Sequence, residues 1–195
     1  EHRIGQSKEQ AHVFVVVMLI ALRNDLCKQI PVTRRQFRVR AICPVFGDAL
    51  LFFRQIDQHA KPGAILATNT SGLDIDEIAA VTKRPKDVIG AHFFSPANVM
   101  RLLEVVRTRD SAPDVIATLM DLGRRMGKAS VLSRVSPGFI GNALLRNYSR
   151  EALFVVEEGA LPLDVDAALT RFGYRMGIFA VHDMAMSCTA KIPIR

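Results

Sequence analysis

Short apolar segments alternate with helical patterns between residues 48 and 135, and this alternation limits the choice of fold more than any other feature. The apolar segments 64–68, 88–94, 102–106 and 130–132 have the length of strands. Helical patterns occupy 48–59, 73–79 and 111–127. Strands that alternate with helices indicate an α/β sheet with helices packed against it.

Two local features of this part follow from its residue pattern. The helix predicted over 48–59 places Leu51, Phe52, Ile56 and His59 on one side. Residues 71–74, Ser-Gly-Leu-Asp, have the spacing of a capping box, so Ser71 is expected to cap the helix that follows.

The chain changes character at Ser136, and from there to residue 185 every segment is predicted to be helical. Ser136 is a favourable N-cap and Pro137 suits a first helical position, so one long helix is expected from there to Gly159. Further helices are expected over 162–172, ending at Gly173, and around 178–184. The sequence therefore divides into an unassigned segment (1–47), an α/β part (48–135), a helical domain (136–185) and a tail (186–195).

The net charge of +7 is concentrated in the first quarter of the chain. Residues 1–47 hold eight Lys and Arg against three acidic residues, whereas the remainder is nearly neutral. Nucleic-acid binding calls for a basic surface interleaved with aromatic side chains, and this segment contains only three phenylalanines. We therefore expect no nucleic-acid partner.

The three cysteines, Cys27, Cys43 and Cys188, form no CxxC pair. Their number and spacing exclude a disulfide framework and a cysteine-based zinc site, and a reducing, cytoplasmic location is expected. Because the sequence contains no HExxH motif either, we expect no metal site.

The most apolar run of the chain, residues 13–22, has only ten residues, whereas a helix needs about 20 to cross a bilayer. A Val-rich run of this kind is typical of a buried strand, and we expect no membrane partner. The alternative, a membrane-anchored or secreted protein, rests on this run alone.

Glu104 is the most informative residue because it lies inside an apolar segment, Leu-Leu-Glu-Val-Val. A buried carboxylate requires a cation or a strong donor as its partner, and His92 lies in a similar segment twelve residues earlier. Such a pair fixes the tautomer of the imidazole and makes it a better base. The alternatives are an edge-strand glutamate facing water and a core histidine bonded to the backbone.

Ser71 and Asn142 are weaker candidates for a binding site. Ser71 follows a strand end, where open α/β sheets bind ligands, but it also fits a helix cap. Asn142 falls in the first turns of the long helix, where an amide can donate to a substrate oxygen or simply be solvated.

Four segments together resemble the NAD-dependent L-3-hydroxyacyl-CoA dehydrogenase family, including the dehydrogenase part of multifunctional fatty-acid oxidation proteins. They are AKPGAILATNTSGLDIDEIA (60–79), VIGAHFFSPANVMRLLEVV (88–106), SPGFIGNALL (136–145) and EEGALPLDVDAALTRFG (157–173). The order and spacing are those of the family, so the resemblance implies the C-terminal part of a Rossmann-type parallel sheet followed by a small all-helical domain.

The resemblance also implies a site. His92 would be the catalytic base and Glu104 the carboxylate that orients it. The implied substrate-binding residues are Ser71 and Asn142, and the residues implied near the nicotinamide ribose of NAD are Asn69 and Ser95. The reaction would oxidise an L-3-hydroxyacyl-CoA to a 3-oxoacyl-CoA in fatty-acid β-oxidation, with hydride transfer to NAD. The implied partners are the acyl-CoA substrate and a second copy of the chain, which dimerises through the helical domain.

One departure from the family pattern supports a second hypothesis. The twelve glycines include no GxG pair, so the dinucleotide-binding turn is not found in this sequence. The first hypothesis is therefore an NAD-dependent 3-hydroxyacyl-CoA dehydrogenase, and the alternative is a non-catalytic, truncated remnant that retains only dimerisation.

Overall fold

The computed structural model describes residues 13–18, 37–42 and 49–190, with side chains from 49 to 184. Six strands form one sheet in the order β2-β1-β3-β4-β5-β6. They are β1 (Val13–Met18), β2 (Phe37–Ile42), β3 (Ile65–Thr68), β4 (Val88–Phe93), β5 (Leu102–Arg107) and β6 (Ala129–Arg134). The helices are α1 (Ala49–His59), α2 (Ile75–Ala80), α3 (Pro113–Arg125), α4 (Gly141–Glu157), α5 (Pro162–Phe172) and α6 (Ile178–Ala190).

The strands are parallel except at one pair, β4 and β5, which run antiparallel. The predicted architecture, a Rossmann-type parallel sheet followed by helices, is confirmed, with the antiparallel pair as the one departure from it. The antiparallel pair matters for function because its register places His92 directly opposite Glu104. Side chains opposite each other on paired strands lie on the same face of a sheet, within about 4.5–5.5 Å at their Cβ atoms.

Two strands come from the segment that the sequence leaves unassigned. Strand β1 confirms the strand expected in the apolar run for residues 13–18, and the rest of that run lies outside the described residues. Strand β2 is not among the predicted elements. Its sequence alternates apolar residues with Arg38 and Arg40, a period of two that is typical of a strand but is hidden by the basic composition.

The core consists of two apolar clusters, one on each face of the sheet. Alternate residues of β3, β4 and β5 enter different clusters, as the two-residue period of a strand requires. One cluster packs against α3 through Val115, Leu119 and Leu122, and this confirms the amphipathic pattern of that helix. The other cluster packs against α1 and α2.

The side of α1 predicted from its apolar spacing is confirmed only in part, because Ile56 is buried and Phe52 is half-buried against the core. Leu51 and His59 are exposed, and the buried residues of this helix are Phe53, Ile56 and Asp57. Asp57 can be buried because its carboxylate accepts from Arg84 at 2.6 Å and from a backbone amide at 2.6 Å. Apolar periodicity cannot show this, because the helix buries an ion-paired carboxylate in place of an apolar residue.

Two predicted helix starts are also wrong. The cap of α2 is Asp74, whose carboxylate accepts from the second and third backbone amides of the helix, and Ser71 lies in the preceding loop. Helix α4 begins at Gly141 instead of at Ser136, because Gly138 and Phe139 have φ values of +77° and +50°. Residues in that region interrupt a right-handed helix, so a separate turn precedes α4.

The bounds of the remaining helices agree better with those predicted from the sequence. Helix α5 has the predicted bounds and ends at Gly173 in the left-handed conformation. Helix α6 continues past residue 184 to Ala190, and no glycine or proline follows in the sequence until Pro193. Among the described residues, no helix combines the length and the apolar character needed to span a membrane.

Candidate active site

The structure brings His92 and Glu104 together in the middle of the sheet. The Nδ1 atom of His92 lies 2.7 Å from Oε2 of Glu104. Glu104 is completely buried and the imidazole is only 6% exposed, so neither alternative from the sequence applies: the glutamate does not face water and the histidine does not bond to the backbone. The cross-strand register of β4 and β5 is what places these two side chains side by side.

The second oxygen of Glu104 binds the beginning of the helical part. Oε1 accepts from the backbone amides of Ile140 at 3.0 Å and Gly141 at 2.8 Å, which are the cap and the first residue of α4. The first amides of a helix have no partner within it, and the helix dipole favours negative charge there. Two backbone amides therefore donate to Oε1 of Glu104, and such contacts favour the ionised form of a carboxylate.

This arrangement decides the tautomer of the histidine. An ionised carboxylate can only accept hydrogen bonds, so Nδ1 of His92 must carry the proton that it shares with Glu104. The other ring nitrogen, Nε2, has no hydrogen-bond partner among the described residues. In the neutral ring Nε2 is the acceptor, and it is the atom that can take a proton from a ligand.

Two aromatic rings enclose the histidine, and the sequence predicts neither of them as part of the site. The ring of Phe94 lies 4.6 Å and that of Phe139 lies 5.6 Å from the imidazole, measured between centroids. Gly141 makes this packing possible, because a Cβ at that position would lie 2.6 Å from the Phe94 ring. In the sequence, the two glycines of the segment Gly-Phe-Ile-Gly (138–141) are the feature that could have indicated this packing. Glycine marks places where a backbone approaches another group closely.

Asn69 and Ser95 lie beyond the carboxyl ends of the neighbouring strands β3 and β4, where open sheets bind ligands. The Asn69 side chain accepts from the backbone amide of Phe93 at 2.7 Å and so joins the two strand ends. Ser95 is exposed. Their roles near a nicotinamide ribose stay predictions.

Ser71 and Asn142 lie on two segments that flank the site. Ser71 is exposed in the loop after β3, and that loop is braced by buried Thr70, whose hydroxyl oxygen accepts from two amides further along the loop. Asn142 is half-buried in the first turn of α4, directly after the amide of Gly141 that binds Glu104. Neither side chain bonds to the His92–Glu104 pair among the described residues, and their substrate-binding roles stay predictions.

Lys128 supports the connection between β4 and β5, which carries Ser95. Its ammonium group donates to the carbonyl oxygens of Ala97 and Met100 in that connection. Burial lowers the pKa of Lys128 from its ordinary value. The sequence gives no signal for this contact, because the lysine lies 28 residues beyond Met100.

The described residues allow a test of which ligands the site can hold. None of them form a group of three or more His, Cys, Asp or Glu side chains placed to bind a metal ion. For NAD, the polar strand ends at Asn69 and Ser95 fit the nicotinamide side. For the diphosphate, the sequence lacks the glycines with which a Rossmann turn approaches it closely, because no glycine follows β1 before Gly47.

Two family descriptions match this chain. Residues 50–135 match the 3-hydroxyacyl-CoA dehydrogenase NAD-binding domain, and residues 138–191 match the C-terminal domain of the same enzymes. The chain belongs to the 3-hydroxyacyl-CoA dehydrogenase family. The resemblance inferred from the four sequence segments is confirmed.

Relatives of this dehydrogenase-family chain include multifunctional enzymes. The peroxisomal bifunctional enzyme of Cavia porcellus is 51% identical over 144 residues, which are 72% of this chain and 20% of that protein. A glyoxysomal fatty acid beta-oxidation multifunctional protein of Brassica napus is 40% identical over 132 residues, or 68% of this chain and 18% of that protein. The match thus spans about a fifth of the length of these curated relatives.

A solved structure supports the same assignment. The crystal structure of 3-hydroxybutyryl-CoA dehydrogenase from Escherichia coli superposes with a TM-score of 0.70 at 37% identity. The superposition covers 74% of this chain and 32% of that one. The fold of this dehydrogenase-family chain is therefore that of solved members of the family.

Proposed function

We propose that this chain carries the acyl-CoA-binding and proton-transfer site of a 3-hydroxyacyl-CoA dehydrogenase. The observation that carries the proposal is the buried His92–Glu104 pair, in which Glu104 accepts from the imidazole and from two backbone amides. His92 would be the catalytic base and Glu104 its orienting carboxylate. The substrate would be an L-3-hydroxyacyl-CoA of the kind oxidised in fatty-acid β-oxidation.

The geometry supports a definite role for each atom of the pair. Nε2 of His92 would take the proton of the substrate hydroxyl group, because Nδ1 is already protonated and bound to Glu104. The hydride that leaves C3 would go to the nicotinamide of NAD, which this reaction requires as its oxidant. The ring then becomes positively charged, and the adjacent carboxylate stabilises that charge. The two amides at the start of α4 donate to the other oxygen of Glu104 and fix the orientation of the carboxylate beside the imidazole.

The surrounding residues would orient the substrate and limit the access of water. Phe94 and Phe139 cover the imidazole, which leaves little of the ring in contact with solvent. Ser71 and Asn142 would hydrogen-bond the substrate from the two flanking segments, and Asn69 and Ser95 would contact the nicotinamide ribose of NAD. Because the sequence contains no GxG pair for the diphosphate, this chain's own residues account for proton transfer and acyl-CoA binding.

Two measurements on the intact chain test this function. Calorimetry should show binding of acetoacetyl-CoA, and oxidation of NADH in its presence should reveal any turnover. His92→Gln should lower turnover by about a hundredfold or more, the size expected for loss of a general base. The control is His59→Gln, which changes an exposed histidine of α1 and should leave turnover unchanged. Absence of both acetoacetyl-CoA binding and turnover would contradict the proposal.

The alternative function, self-association without catalysis, rests on the surface of the helical part. Large apolar side chains of α4 and α5 are exposed, among them Leu144 at 67%, Leu163 at 80% and Phe172 at 83%. An apolar surface of this kind marks an interaction site, and we propose a homodimer formed through it.

Sedimentation velocity tests the dimer. We expect the wild type to sediment as a dimer and Phe172→Glu to shift it to a monomer. Leu51→Glu, at an exposed leucine of α1 in the α/β part, is the matched control and should remain dimeric. A folded wild-type monomer would rule out this interface.

The expected cytoplasmic location stays a prediction. The curated relatives named above are described as peroxisomal and glyoxysomal, which is a statement about those proteins. Fluorescence microscopy of the tagged chain, compared with a microbody marker, distinguishes the two locations.

A further inference from the structure

A cleft lies beside the sheet, apart from the His92–Glu104 pair. Its volume is about 480 Å³, and it lies between the loop that leads into α2, the ends of β5 and β6, and the linker to the helical part. Three arginines line it: Arg107, Arg109 and Arg134. Neither His92 nor Glu104 is among its lining residues.

The two carboxylates that line the cleft already have partners. Asp76 accepts from the backbone amide of Arg109 at 2.8 Å and from its guanidinium at 3.2 Å. Asp74 caps α2 by accepting from the amides of Asp76 and Glu77. Of the three arginines, Arg109 is therefore paired with a carboxylate of the cleft. Arg107 and Arg134 have no such pair among the described residues.

Arg107 and Arg134 are directly opposite each other on the paired strands β5 and β6. No hydrogen bond or ion pair joins either guanidinium to another side chain within residues 49–184. Like charges directly opposite on a sheet destabilise it. An anion bound between the two groups would remove that repulsion.

We propose that this cleft binds the phosphate group of a small molecule, with Arg107 and Arg134 as its ligands. The planar guanidinium matches the geometry of phosphate oxygens, and two such groups on adjacent strands suit a doubly charged anion. The volume falls in the range of small-molecule sites, so there is space for an organic body attached to the phosphate. The phosphate can come from free diphosphate or from coenzyme A, and the second source rests on the proposed function.

Calorimetry with inorganic diphosphate at low salt tests the site on the intact chain. We expect binding that weakens about tenfold in Arg107→Gln and in Arg134→Gln, as for the loss of one charge-assisted hydrogen bond. Arg54→Gln, at an exposed arginine of α1, is the matched control and should bind like the wild type. Thermal unfolding checks that each variant is folded.

A second titration, with coenzyme A, distinguishes the two sources. Coenzyme A binding that diphosphate displaces, and that both arginine variants weaken, supports coenzyme A as the source. Diphosphate binding without coenzyme A binding supports a free phosphate compound. The site is overturned if the wild type binds neither anion, or if Arg54→Gln loses as much affinity as the two cleft variants. None of these results depends on His92, so this site and the proposed function can fail separately.

Discussion

The α/β part and the helical part of this chain differ in how far their apolar residues are buried. Strands β3 and β4 are buried along their whole length, and four of the six residues of β5 are buried. Helix α4 buries only Ala152 along its 17 residues, and α5 buries none. The first part therefore encloses a core of its own, whereas nearly all apolar residues of α4 and α5 are exposed or half-buried.

Polar contacts organise much of the helical part instead. The Asp166 carboxylate of α5 accepts from the backbone amides of Phe179 and Ala180 at the start of α6. Gly177 is required beside it, since a Cβ there would lie 2.2 Å from that carboxylate. Glu104 makes a similar contact to the start of α4. The difference shows that the helical part depends on capping carboxylates, one of which belongs to the candidate active site.

The largest effect on stability is expected at Glu104, where the two parts meet. Glu104→Ala removes the acceptor of His92 and of two helix amides, and all of these donors would be left buried or partly buried without a partner. Breaking a buried pair in this way costs about 3–5 kcal/mol. Urea unfolding of the variant and the wild type measures the loss.

The matched control is Glu157→Ala, at an exposed glutamate that ends α4. We expect a change within about 0.5 kcal/mol there. Equal losses in the two variants would show that Glu104 is not the connection between the sheet and the helices.

A pair of leucines on helices of the two parts tests the contrast in burial. Leu119 of α3 is 1% exposed and packs in the core, so Leu119→Ala should cost about 2–5 kcal/mol. Leu163 of α5 is 80% exposed, and Leu163→Ala should change stability by less than about 0.5 kcal/mol. Both values come from denaturant unfolding at a protein concentration where the chain is monomeric. A loss of several kcal/mol at Leu163 would mean that α5 packs against another part of the protein.

The same contrast explains which features can be predicted from the sequence. The His92–Glu104 pair follows from two polar residues in apolar strands, because burial leaves each of them in need of a partner. The opposing arginines of the cleft and the ring of Phe139 do not follow, since they depend on strand register and on a turn with positive φ. Sequence periodicity indicates which apolar residues share one side of a segment, and it shows neither which segments meet nor whether that side becomes buried.

The smallest expected effect on stability comes from the ionisation of Tyr148, whose pKa depends on packing within the helical part. Its hydroxyl is buried without a hydrogen-bond partner, and its ring stacks on Tyr174 with centroids 5.5 Å apart. Burial raises the pKa of Tyr148 above its ordinary value, and the nearby Tyr174 and Asp166 raise it further. The neutral phenol is therefore the form that folding favours. Its contribution to stability is complete below the unfolded pKa of about 10 and is lost as the pH rises through the folded pKa.

Phenolate absorbance measures this pKa in Tyr174→Phe, where Tyr148 is the only tyrosine left, since the chain has two. Burial remains in this variant, so the folded midpoint should lie above that of the same variant in urea. Adding Asp166→Asn removes a negative charge, which should lower the folded midpoint while the amide oxygen still caps α6. Circular dichroism at each pH confirms that the helices persist. Identical midpoints in buffer and in urea would mean that Tyr148 is solvated, and that α4 packs as loosely around it as its exposed face suggests.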